Sequence, residues 1–533
     1  MSAEARKSSS SGRSLILLLI LLLIVGIAAI ILVLTQNQST PVSAETPLSA
    51  VAAAPVFSDA GDKLLVWTGA GAGPGQHSAA NPGQIVFMDG TGVMTPVMDV
   101  PPQTSRVVAC GDEASSPDGS KFAFFMGMDA GTLYMMEGAD TPQPVADVQA
   151  LTCLGNGTFQ WSPSSDRYGY IAYEPSAVSD EFADGFLKIH DAGNQNVLLS
   201  TENVTAFDIS ADGVAYVSFF TNDKNEADEA AVVWWDGSAE RELATLRPNA
   251  EDCKFSSAEV GIAPDGSLFL VMGHRCKSGD TRTSWQLYTV DPTSRTATLA
   301  ASDYQSGLFA SFARTNNVYF SADGLWAFFT VPDGVTANTV GIKAVRLADM
   351  SITDVVERSA LMPTYSGRSN AFPAVSPDGR WLAFVENTPN NDNSLYLISL
   401  VDPGIAPIMV EAGSRGDTIS ALAFTADGSR LIFVAGGDST ANNSLVALDL
   451  NTGNDFRISR GRYGNGLALA PNGSEALVTD WQVVEDPKEP PYLNLVAINV
   501  DSSQVTALFT GGEVVEGKVT NQRFATPLAW RRP

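Results

Sequence analysis

A strand–turn–strand unit recurs along this chain, and that recurrence restricts its fold more than any other feature. The best-preserved copy is Phe372–Val385, FPAVSPDGRWLAFV. Apolar residues lead up to Ser376. Pro377-Asp378-Gly379 then makes a tight turn, because Pro pre-sets one backbone angle and Gly tolerates a positive one. Trp381–Val385 follows as a short run of strand formers. Aligned on the turn, the chain holds nine copies. The first, Phe57-Ser58-Asp59-Ala60-Gly61, is degenerate. The others are centred on Ser116-Pro117-Asp118-Gly119, Trp161-Ser162-Pro163, Ser210-Ala211-Asp212-Gly213, Ala263-Pro264-Asp265-Gly266, Ser321-Ala322-Asp323-Gly324, Ser376-Pro377-Asp378-Gly379, Thr425-Ala426-Asp427-Gly428 and Ala470-Pro471-Asn472-Gly473.

From Pro117 to Pro471 the spacing averages about 51 residues, a period that belongs to solenoids, propellers or arrays. Each interval repeats the same parts. A second apolar strand follows the turn (Phe122–Phe125, Leu431–Val434). A loop of variable length comes next. A third strand often ends in Asp (Leu287–Asp291, Leu445–Asp449), and a further turn leads to a fourth strand (Arg241–Leu246, Ile405–Val410). Four antiparallel strands per unit without helical periodicity describe one blade of a β-propeller. The expected fold is therefore all-β, a single closed propeller of four-stranded blades. Nine units are counted, and eight is the alternative because four to eight blades is the usual range. Phe524–Trp530 resembles the strand before the turn, so these residues are expected to pair with residues 63–69 and close the ring, removing exposed sheet edges.

Residues 1–54 are different material. Arg6, Lys7 and Arg13 lie in a Ser-rich tail at 1–14, and Leu15–Leu34 is a run of 20 uncharged, mostly aliphatic residues. That length crosses a bilayer as one helix. Residues 35–62 contain no Lys or Arg, which places the N-terminus in the cytoplasm and the rest outside. The run exceeds a signal-peptide core and has no small-x-small site close behind it, which favours an uncleaved anchor. No Cys follows it, which argues against a lipoprotein anchor. Residues 35–54, rich in Ser, Thr, Pro and Ala, are a linker, and 55–533 is the extracytoplasmic propeller. The localisation expected is a single-pass cell-membrane protein with its propeller periplasmic or extracellular.

At the Ser-Pro-Asp-Gly turn, the aromatic–aliphatic strand after it and the Leu-Tyr…Asp third strand, the chain resembles the TolB-like family of PD40, or WD40-like, propeller repeats. The resemblance covers roughly residues 50–533 and implies the fold more than a function. TolB itself carries an α/β domain ahead of its propeller, for which residues 1–54 leave no room, so its particular partners are not carried over. Prolyl oligopeptidase-type enzymes join a propeller to an α/β-hydrolase domain. No such domain fits here, and no Gly-x-Ser-x-Gly elbow occurs in the chain.

The net charge of −27 makes nucleic acid and anionic lipid poor partners for the folded part, and suits solubility, cations or a basic protein. Outside the membrane, disulfides are allowed. Cys253 and Cys276 lie nearly symmetrically about the Asp265-Gly266 turn, which suits a hairpin-spanning bridge. Cys110 and Cys153 each precede a turn in successive blades and can bridge neighbours. Zinc is disfavoured, because no close ligand pair occurs. His77, His190 and His274 share no motif, and no Ser-His-Asp set is evident. The repeated Asp-Gly pairs make turns rather than calcium sites. The acidic stretch Asn222–Glu229 is a better candidate for calcium oxygen ligands, though it lacks the EF-hand pattern. No enzyme activity and no cofactor are expected on these grounds.

In an up-and-down blade the loops between strands two and three gather on one face of the ring, and the Asp-Gly turns lie on the other. Those loops are 70–83, 175–185, 222–229, 276–283, 387–393, 437–443 and 482–491. Asp180, Glu181, Asp184, Asp223, Glu226, Asp228, Glu229, Asp392, Glu485, Asp486 and Glu489 make that face acidic. Loops on a rigid scaffold are the usual place for function. The expectation is a protein-binding or scaffolding module of the cell envelope. The alternatives are a carbohydrate-binding protein or enzyme with its site at the central channel, or a non-catalytic relative of peptidase propellers.

Overall fold

The computed structural model describes residues 57, 63–71, 83–102, 104–110, 115–138, 140–154, 158–173, 185–222, 226–248, 253–276, 282–306, 318–332, 340–359, 374–387, 393–411, 417–437, 443–470, 472–484 and 489–531. They belong to one compact unit, Ala52–Pro533. Within them lie nine four-stranded antiparallel sheets, each one blade, and one separate two-stranded ribbon. The count of nine is thus the one adopted. The single helical element among the described residues is one turn, Leu151–Leu154. No helix of the described residues is long and apolar enough to cross a membrane; residues 15–34 lie outside them.

The apolar runs follow from the stacking of blades. An isolated half-buried strand would alternate apolar and polar residues. A strand sandwiched between two neighbouring blades is buried on both faces. Phe122, Ala123, Phe124 and Phe125 are all fully buried, as are Leu431, Ile432, Phe433 and Val434. Their alternation shows in which neighbour they meet. Phe122 and Phe124 pack with Leu65 and Trp67 of the first blade. Ala123 and Phe125 pack with Phe159, Trp161 and Tyr168 of the third. Fourth strands, at the rim, revert to exposed positions such as Met409 and Val505.

The ring closes as the sequence predicts. Arg523–Arg531 pairs antiparallel with Lys63–Ala70, from Lys63 opposite Arg531 to Ala70 opposite Arg523. The register shifts between Leu65 and Val66, whose partners Ala529 and Pro527 skip Leu528. A bulge beside a proline is what a strand with one missing N–H accommodates. Phe524 meets Trp67 edge-on at 5.2 Å, and Phe57 meets Trp530 at 4.6 Å. The C-terminal strand therefore serves as the first strand of the first blade and touches the first strands of blades nine and two.

Both cysteine expectations find support. Cys110 and Cys153 form a disulfide with Cα atoms 4.1 Å apart, tying the end of blade two's first strand to the helical turn ahead of blade three. Cys253 is disulfide-bonded, and Cys276 is its direct cross-strand partner in register.

The ribbon was not anticipated. Glu513–Val515 and Lys518–Thr520 form a hairpin inserted between blade nine's fourth strand, Val505–Phe509, and the closing strand. Two of the turn copies also differ. In Ser162-Pro163-Ser164-Ser165 the glycine position is taken by Ser165 at φ +60°. At Ser210–Gly213 the Ser210 amide bonds the Gly213 carbonyl at 2.9 Å, a shorter link in which Gly213 needs no positive φ.

Candidate functional site

The two faces of the ring differ in what their polar side chains do. On the turn face, Asp118, Asp265, Asp323, Asp378 and Asp427 are each held within their own turn. The Ser116 hydroxyl donates to Asp118 Oδ1 at 2.6 Å and accepts the Lys121 amide at 2.9 Å, and the same oxygen of Asp118 accepts the Ser120 amide at 3.0 Å. Ser321 and Asp323, Ser376 and Asp378, and Thr425 and Asp427 repeat the arrangement at 2.5–2.6 Å. In the third blade Ser162 uses Asp166 at 2.7 Å. Hydrogen bonds to a carboxylate favour its charged form. The Ser116 hydroxyl, with the Ser120 amide, accordingly holds Asp118 down at about 2. These carboxylates build turns.

Successive turns also touch. The Asp118 amide donates to Ser165 Oγ at 3.0 Å, and Arg167 Nη2 donates to the Ala211 carbonyl at 2.6 Å. A Cβ placed on Gly428 would stand 3.0 Å from the Asp378 carboxyl carbon. Arg430 reaches Asp501 of the next blade at 2.8 Å. The turn face is a packed belt.

On the opposite face, the described part of the acidic stretch at 222–229 is paired with bases that composition did not single out. Lys254 of blade five lies 3.9 Å from Glu226 and 3.6 Å from Asp228. Arg247 donates two bonds to Glu229 Oε2, at 3.1 and 2.8 Å. Asn222 donates to Asp228 at 3.1 Å. The structure thus brings Glu226 and Asp228 together on Lys254 at the boundary of blades four and five, while Glu229 pairs with Arg247 of its own blade. Asp180, Glu181, Asp184, Asp223, Asp392, Glu485 and Asp486 lie outside the described residues. Among the described residues no group of three or more His, Cys, Asp or Glu is placed to hold a metal ion.

The channel wall holds a residue that sequence reading missed. An innermost strand has one ladder edge turned to the axis, where its backbone groups need partners. Side chains of the preceding blade supply two. Gln160 Nε2 donates to the Phe207 carbonyl at 3.0 Å, and Asp208 Oδ2 accepts the Ile262 amide at 2.7 Å. Asp208 also accepts the Ile209 amide at 2.9 Å. Its side chain keeps partial solvent access, yet burial in the surrounding protein pushes its carboxyl up to about 6 against those two bonds. The available signal was one charged residue inside the apolar first strand Val204–Ile209.

The described histidines belong to aromatic stacks. His190 lies 5.0 Å from the Tyr168 ring, contacts Tyr170 Oη at 3.3 Å and reaches the Gln195 carbonyl at 3.0 Å through Nδ1. Its pKa is lowered, chiefly by burial. His274 is fully buried against Phe255 at 5.0 Å, and burial brings it down to about 4. Both are neutral at physiological pH. His77 lies outside the described residues.

No family model and no curated protein matches this chain. Solved structures do. Dipeptidyl peptidase 4 of Porphyromonas gingivalis is 11% identical, with 76% of this chain and 60% of that chain covered at a TM-score of 0.44. The match thus spans 60% of the peptidase's length. Oligogalacturonate lyase in complex with manganese is 13% identical, covering 83% and 98% at a TM-score of 0.36. TolB from Acinetobacter baumannii is 15% identical, covering 68% and 81% at a TM-score of 0.24. The chain is a nine-bladed β-propeller. That architecture rests on the sheet topology of this chain, and likenesses at these TM-scores carry no argument about it.

Proposed function

We propose that this chain is a membrane-anchored, extracytoplasmic propeller of the TolB-like type that acts as a protein-binding or scaffolding module of the cell envelope. The observation that carries the proposal is the difference between the faces. Turn-face carboxylates are held within their own turns, and the turn backbone bonds to the neighbouring blade, which leaves the loop face to meet a partner. On that face Asp228 is 42% exposed and Glu229 33% exposed in their side chains. An acidic, rigid, multi-loop surface suits a basic protein. The Cys110–Cys153 disulfide and the bonded state of Cys253 accord with an oxidising compartment. The apolar segment 15–34 supplies the anchor.

A second reading, an enzyme or carbohydrate-binding protein with its site at the channel, is favoured by Asp208. A carboxyl raised towards neutrality on the innermost strand of a blade is the kind of group that functional sites use.

The test is to immobilise the full chain in detergent micelles and expose it to envelope extract, with and without calcium, while assaying turnover of a glycan and peptide panel. Salt-sensitive retention of a defined protein, without turnover, is the expected result. Turnover of a panel member with nothing retained above background would transfer the function to the channel.

A further inference from the structure

The inserted ribbon at 513–520 has no counterpart in the blade pattern, and its cost is visible. A two-stranded hairpin is marginal in water by itself. Here Glu516 at φ +50° and Gly517 at φ +79° form its turn, and Asn521 at φ +53° leads back to the ring. The left-handed conformation at Glu516 costs roughly 1 kcal/mol, whereas Asn521 tolerates it. The ribbon is nevertheless anchored. Glu489 Oε2, from blade nine's loop between strands two and three, accepts the Val519 amide at 3.0 Å. Thr520 and Asn521 bond back to Glu513 at 3.3 Å. The anchor also places the ribbon on the loop face.

The register shows what the anchored ribbon offers. Val515 pairs with Lys518, Val514 with Val519, and Glu513 with Thr520. Hydrogen-bonded and non-hydrogen-bonded pairs alternate in an antiparallel ladder. The Val519 amide points outward, to Glu489, so the Val514–Val519 pair is of the non-bonded kind. The N–H and C=O of Val514 therefore point out from the other edge. Val514 and Val515 are 48% and 52% exposed on this edge, and Glu513 and Glu516 flank them.

We propose that the Glu513–Val515 edge is a β-addition site for an extended segment of a basic partner protein, whose backbone pairs with Val514 and whose Lys or Arg side chains meet Glu513 and Glu516. The partner's charge follows from those two glutamates and from the net charge of −27. A second copy of this chain is disfavoured by the same charge. The proposal rests on the protein-binding reading and names the place where it operates.

The probe is a fluorescent decapeptide of alternating Lys and Val, titrated by anisotropy against the full chain in micelles, with an alternating Glu–Val decapeptide as control. The Lys–Val peptide is expected to bind and weaken with salt, and the Glu–Val peptide not to bind. Val514→Pro removes the outward N–H and should weaken binding roughly tenfold. Because that variant also perturbs the ribbon, hydrogen exchange on the unmodified chain is the second measurement: bound peptide should slow the Val514 amide. An unchanged Val514 amide, or a Val514→Pro variant that binds as tightly as the unmodified chain, overturns the ribbon site while a partner retained elsewhere on the face keeps the binding function. Self-association abolished by Val514→Pro would overturn the basic partner in favour of a second copy. Failure to hold both the peptide and any envelope protein would overturn both proposals.

Discussion

The Asp208 carboxylate accepts the Ile262 amide at 2.7 Å across the boundary between blades four and five. Burial raises this carboxyl from 3.8 to about 6 in the folded protein. The folded state therefore holds the proton more tightly than the unfolded chain does. The stability from this protonation is full below about 3.8 and is lost as pH rises through about 6. Asp208→Asn keeps an acceptor without the charge. Its thermal midpoint should fall less than that of the unmodified chain between pH 4.5 and 7.5, a difference of the order of 1 kcal/mol. The comparison must be between the two proteins, since 59 acidic residues titrate in both. Parallel pH profiles would show that Asp208 is not the group responsible.

Stacking of the turns predicts unequal glycine substitutions. Gly119 and Gly428 have nearly the same backbone, at φ +71° and +68°. A Cβ on Gly119 meets nothing within 4 Å, whereas one on Gly428 meets Asp378 at 3.0 Å. Gly119→Ala should cost about 1 kcal/mol for the left-handed conformation alone. Gly428→Ala should cost more, by roughly another 1 kcal/mol as the neighbouring turn shifts. Urea denaturation of the two variants side by side reads the difference, and equal losses would mean that adjacent turns are not mechanically coupled.

Cys110 and Cys153 close a loop of 43 residues. On the loop-entropy account such a cross-link stabilises by about 4 kcal/mol. A Cys110→Ser, Cys153→Ser double variant should unfold at a clearly lower temperature, and reductant should lower the midpoint of the parent but barely that of the variant if the Cys253 bridge resists it. Thiol labelling of the native parent should find no free cysteine.

Removal of the closing strand after Gln522 should be more damaging than its size suggests. It leaves Lys63–Ala70 with an unpaired edge and strips Phe524 from Trp67. Exposed edges invite association. Soluble aggregates and a broadened unfolding transition are the expected outcome on size-exclusion chromatography and calorimetry. A monomer with the parent's transition would mean that the ring does not depend on this closure.

The repeat, the strand order and the partner of the last strand were legible in the chain because each depends on short-range chemistry: turn residues, apolar runs and a period of about 51 residues. The opposition of Cys253 and Cys276 was legible for the same reason, since symmetry about a turn sets cross-strand register. Other features depended on which residues meet across blades, which sequence spacing does not encode. Leu64 and Leu65 are adjacent in sequence, yet Leu64 packs with Leu477 and Leu495 of blade nine, and Leu65 with Phe122 and Phe124 of blade two. Glu226 and Asp228 were visible as an acidic stretch, but only the fold brings Lys254 beside them. Asp208 is one charge in an apolar strand, and only the ring turns the ladder edge of the next blade towards it. The ribbon at 513–520 was invisible to a search for repeats because it is the departure from them. Its sequence makes a hairpin; the Glu489 carboxylate, supplied by another loop, decides where that hairpin stands.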